Sequence, residues 1–102
     1  TLLPAIYFSK KVELVGVHVI DGAGIVASDS NYVQISLKNV STVVAEIDSR
    51  AAHENALVIN VAKALNIAVS SVAAGSTLTV LYNETGTVAM TNAMLVVTYY
   101  PI

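Results

Sequence analysis

Cysteine and tryptophan are absent from the 102 residues, and only 12% of the residues are charged. Without cysteine, neither disulfides nor thiolate metal sites can hold the chain together, so packing and assembly must. The charged fraction is about half of the roughly one in four expected of a soluble domain. Five basic and seven acidic residues give a net charge of -2, and the only basic pair is Lys10-Lys11. No cationic stripe exists to neutralise several phosphates, which argues against nucleic acid as a ligand. Long apolar runs are missing too. Although 55% of the residues are hydrophobic, the longest unbroken stretch is Ala93 to Val97, far short of the roughly 20 residues a spanning helix needs. An outer-membrane barrel would use up the chain in its strands, and there is no Trp for an aromatic girdle. The opening residues lack the basic head and long apolar core of a signal peptide. The length suits one domain, 1–102.

Alternation with a period of two dominates the pattern that is present. Val33, Ile35 and Leu37 alternate with Tyr32, Gln34, Ser36 and Lys38, which predicts a half-buried strand. Val43, Ala45 and Ile47 alternate with Val44, Glu46 and Asp48, so Asn39 to Thr42 reads as a tight connection between antiparallel neighbours. A further strand is predicted over Thr77 to Asn83, ending in the turn Asn83-Glu84-Thr85-Gly86. The last strand, Met90 to Tyr100, carries no charge, and Val12 to Ile20 is apolar on both faces apart from Glu13 and His18. Strands of this kind need cover on both faces, which points to another chain or to a central place in a sheet.

Asn55 to Ala74 fits two templates. Leu57, Val61, Leu65, Ala68 and Val72 trace a helical face, with Asn55 as a cap and Gly75 as a stop. Val58, Ile59, Val61, Ile67, Val69 and Val72 are β-branched and lose side-chain freedom in a helix. Two short strands, near Ala56 to Val61 and Ala64 to Val69, are favoured. With Leu3 to Phe8 the tally approaches eight strands, which predicts an all-β antiparallel β-sandwich of the jelly-roll type, with an immunoglobulin-like sandwich as the alternative.

Motifs for chemistry are weak. Gly22-Ala23-Gly24-Ile25-Val26-Ala27 matches G-x-G-x-x-A after a strand, but Ser28 to Asn31 reads as a turn where a phosphate site needs a helix to begin. A glycine-bearing loop is the favoured reading. His18 lies within an apolar strand and reads as a core or interface histidine; His53 sits with Arg50 and Glu54 in a polar loop. The two histidines form no recognisable zinc spacing, and no G-x-S-x-G accompanies them. Asp29 and Asn31 lack the glycine and glutamate of an EF-hand loop. Nothing fixes the separation of Asp48, Glu54 and Glu84 as a glycosidase pair. The sequons at Asn39 and Asn83 fall at predicted turns. No enzyme, cofactor or metal is expected. Tyr82, Tyr99 and Tyr100 would make a sugar-stacking platform only if they shared one sheet.

Three runs, Val26 to Asn39, Ser71 to Val80 (with Ala74-Gly75-Ser76-Thr77-Leu78) and Ala93 to Tyr100, together resemble the small jelly-roll decoration, or cement, proteins of tailed-phage heads. The likeness spans residues 12 to 100 and consists of strand texture and turn wording, while the uncharged last strand and the long stretch from Asn55 to Ala74 depart from it. The resemblance implies a trimer that sits at local threefold positions of the capsid surface and clamps adjacent major-capsid subunits, after assembly in the host cytoplasm. A receptor- or carbohydrate-binding module of a tail or fibre, and a shell-forming coat subunit, are the alternatives. Candidate partner contacts are Leu2, Leu3 and Phe8, as an N-terminal arm or first strand, and the loop residues Arg50 and His53.

Overall fold

The computed structural model describes residues 2–50 and 56–102, with the side chains of residues 2–5 outside the description. It contains nine strands: β1 (Leu2–Phe8), β2 (Val12–Ile20), β3 (Tyr32–Asn39), β4 (Thr42–Asp48), β5 (Lys63–Ala64), β6 (Asn66–Ile67), β7 (Ser71–Val72), β8 (Ser76–Thr85) and β9 (Met94–Pro101). Sheet A has the order β1-β8-β3-β4-β6; in sheet B, β2 carries β9 on one side and the short β5 and β7 on the other. Every pairing is antiparallel, and the two sheets form a β-sandwich as the alternation predicts. The strand orders do not single out a jelly roll.

One core joins both sheets. Val33, Ile35, Leu37 and Leu78 of sheet A meet Val12, Leu14, Val17 and Val19 of sheet B, all nearly or fully buried. Bulges adjust the phase of this pattern. On β4 the register steps from Leu37↔Ala45 to Lys38↔Val43, so Val44 is the extra residue and turns inward, where strict alternation would have left it outside. On β2 the extra residue is Val15, which is 55% exposed between the buried Leu14 and Val17.

The stretch from 56 to 72 contains no helix, in line with its β-branched content. It also does not form the two expected strands. Leu57 makes a single bridge to Ile25, and Val58 to Val61 is a turn closed by the Val61 N–H on the Val58 carbonyl, with Asn60 at φ 56°. The segment from Ala64 to Val69 is divided between sheets: β5 pairs with β2, the Leu65 N–H donates to Val17, β6 pairs with β4, and the Ala68 N–H donates to Val44. Ser70 and β7 then return to β2. This lacing closes one side of the sandwich.

Two boundaries also move. The expected turn at Asn83 begins only after Thr85, where Gly86 takes φ 80°, and the last strand begins at Met94 in place of Met90. Both follow from anchoring of the intervening loop. Asn31 Oδ1 accepts the Thr87 N–H and hydroxyl, and the buried Asp21 accepts N–H groups from Thr91 and Ala23.

Candidate interaction surface

The outer face of sheet B is built by period-two alternation on β9 and β2. Leu95, Val97 and Tyr99 point to the core side, which leaves Met94, Val96, Thr98 and Tyr100 outside, opposite Ile20, His18, Gly16 and Glu13. Met94 is 59% exposed and Tyr100 52%. No charged residue lies on β9, so its outer face is apolar or neutral from end to end. His18, half-buried, belongs to this outer face and not to the core. A Cβ added to Gly16 would lie 3.1 Å from the His18 ring, so the glycine leaves the imidazole room to lie along the sheet.

The edges of the two sheets are treated differently. β5 and β7 cover the far side of β2, and β6 covers that of β4. β1 is an edge strand interrupted by Pro4 and by a bulge between Pro4 and Ile6, two devices that discourage stray pairing. Among the described residues β9 pairs only with β2, and its ladder is regular on its own side from Met94 to Tyr100. Its sole guard is Pro101 at the end. The central-strand explanation for its neutral faces is therefore set aside by its position.

Beside β9 the sandwich is incompletely closed. A cavity of about 420 Å³ lies between the sheets, lined by Val19, Val80, Tyr82, Met90, Met94 and Leu95 among others. The Tyr82 hydroxyl accepts the Met90 N–H at 3.2 Å, and partial burial pushes its phenol pKa up. Toward the other end of β9, Phe8 meets Tyr99 edge to face at 4.8 Å between ring centroids.

The expected contact residues fall in different places. Leu2 and Leu3 are part of β1, their backbones paired with Leu81 and Val80, so the segment is a first strand and not a free arm. Phe8 is a correction: at 4% exposure it fills the core and is not available to a partner. Arg50 stands on the outside of sheet A, ion-paired with Asp48 and 4.8 Å above the Tyr32 ring. His53 and Glu54 lie outside the described residues. Sequence reasoning thus chose sheet A and loop positions, whereas Met94, Val96 and Tyr100 are exposed on the outer face of sheet B. The signal for it was present in the uncharged last strand.

A polar cleft of about 400 Å³ borders Arg50, lined by Gln34, Ser36, Glu46, Asp48 and Asn66. Burial raises the pKa of the Asp48 carboxyl, but hydrogen bonds from the Arg50 side chain and backbone and from Gln34, with the Arg50 charge, outweigh it and hold the pKa below the usual carboxylate value. The bond to Asp48 in turn raises the Arg50 pKa.

Gly22 and Gly24 serve loop packing. A Cβ at Gly22 would lie 2.9 Å from the Thr91 carbonyl oxygen, and Gly24 has φ 78° with the Leu57 carbonyl oxygen 3.0 Å from where its Cβ would be. The three tyrosines do not form a platform: Tyr82 belongs to β8 of sheet A, while Tyr99 and Tyr100 point to opposite faces of sheet B. Among the described residues no group of three His, Asp or Glu is placed to hold a metal ion, and no helix is long and apolar enough to cross a membrane. No family model, curated protein or solved structure matches this chain.

Proposed function

We propose that this chain is a structural assembly module, and specifically a decoration subunit of a tailed-phage head that binds the capsid surface and stabilises it by bridging major-capsid subunits. The observation that carries the reading is the exposed, uncharged outer face and open edge of β9, an apolar surface with no solubilising charge of its own. The resemblance in strand texture supplies the phage head as the target. A subunit that binds only the mature shell stabilises it by mass action, and an interface of about 1,200 to 2,000 Å² in total is enough if well packed.

The test is co-sedimentation of the purified chain with heads of the phage that encodes it, assembled without it. Saturable binding and a higher temperature of head disruption are expected. Failure of the folded chain to bind those heads sinks the proposal.

A further inference from the structure

We infer that β9 pairs with β9 of a second copy across a twofold axis, joining the two B sheets into one continuous antiparallel sheet. This rests on the reading of sheet B as the assembly surface and adds the identity of one partner. Three observations support it. Among the described residues, β9 is the long edge strand that has neither an interrupting bulge of its own nor an internal proline, in contrast to β1 with Pro4. Its inward-facing side chains are only partly covered: Leu95 and Val97 are half-buried and Tyr99 is 46% exposed, whereas Leu14, Val17 and Val19 opposite them on β2 are buried. The sandwich therefore stops one strand short of covering its own last strand.

The third observation is self-complementarity. In a twofold antiparallel pair, directly opposed residues share a face, so the two residue numbers must sum to an even value. A strand that carries a charge near its centre would bring like charges together across that axis. β9 carries none. With the axis at Val97, Val97 faces its own copy, Val96 faces Thr98, Leu95 faces Tyr99 and Met94 faces Tyr100, which are β-branched or aromatic-aliphatic pairs of the kind that stabilise sheets. Pro101 follows directly and ends the ladder, since it has no N–H to give. A second copy is the fitting occupant because both sides of the new ladder are then the same neutral strand. Edge pairing of this sort derives affinity from main-chain hydrogen bonds and register from the side-chain pairs.

The experiment uses the full chain in light scattering coupled to size exclusion, over a concentration series. A mass twice the 10.7 kDa of the chain is expected. Val96 and Thr98 are exposed on the outer face, so charges there leave the fold intact, as circular dichroism will verify. The double variant Val96→Lys/Thr98→Lys places like charges opposite each other twice and should weaken the dimer about 30-fold, taking roughly 1 kcal/mol per like-charged pair. Val96→Lys/Thr98→Glu places opposite charges there and should restore it. A wild-type monomer, a cyclic trimer, or a dimer indifferent to both variants overturns the twofold pairing. The shell-binding proposal is judged separately, by whether the wild-type chain sediments with heads whatever its oligomeric state, because Val96 and Thr98 belong to the face proposed to meet the shell.

Discussion

Val40 is a β-branched residue at the first position of a two-residue hairpin connection, between the paired Asn39 and Thr42, and it has φ 57°. A side chain with a Cβ in that region costs about 1–2 kcal/mol, and hairpin loops favour Asn or Gly there for this reason. Because Val40 is 85% exposed, its side chain contributes little in return. The share that is buried is worth about 0.3 kcal/mol if full burial of such a side chain is worth roughly 2 kcal/mol. Val40→Asn should therefore stabilise the fold by about 1 kcal/mol, equivalent to a rise in Tm of about 4–8 °C for a domain of this size. Val40→Gly should gain somewhat less, since glycine also adds freedom to the unfolded chain. Thermal and urea unfolding monitored by circular dichroism measure this, at one fixed protein concentration because self-association would shift Tm. An unchanged or lower Tm for Val40→Asn would refute the assignment of strain to this turn.

Two other features give equally direct tests. Asp21→Ala leaves the Thr91 N–H without its carboxylate partner inside the protein, which should cost about 1–3 kcal/mol and accelerate amide exchange at Thr91 and Ala23 well before the β3 amides respond; uniform acceleration would show that Asp21 does not anchor this loop in particular. For Asp48, the folded carboxyl has a lower pKa than the unfolded one, so its contribution to stability is complete above the unfolded value of about 3.9 and disappears as pH falls through the lower folded value. The gap in Tm between the wild type and Asp48→Asn should narrow between about pH 6 and pH 2, and a gap independent of pH would remove the ion pair from the account.

What could be read from the sequence was local. The β3 pattern needed only period-two alternation, and Val33, Ile35 and Leu37 are indeed buried. The lacing between Lys63 and Val72 could not be read, because its apolar residues answer to two sheets in turn and so follow neither a helical nor a strand period. Val44 escaped for a related reason: a bulge resets the phase of alternation, and the resetting depends on the partner strand. For the interaction surface, the neutrality of the last strand was legible, but its place at the edge was not, since sheet order is decided by pairings remote in sequence. Phe8 shows the converse. Grouped with Leu2 and Leu3 in a possible N-terminal arm it suggested a docking residue, and only its burial at the end of β1 reveals an interior one.

The ladder between β2 and β9 has a consequence for biosynthesis. Even its closest partners, Ile20 and Met94, are separated by 74 residues, so β2 leaves the ribosome long before the strand that completes its sheet. Such a nascent chain cannot finish this sheet progressively, and closure is a late, slow, non-local event. β9, the uncharged edge strand, is also the last of these nine to be made, which shortens the time during which it can pair with a neighbouring unfinished chain.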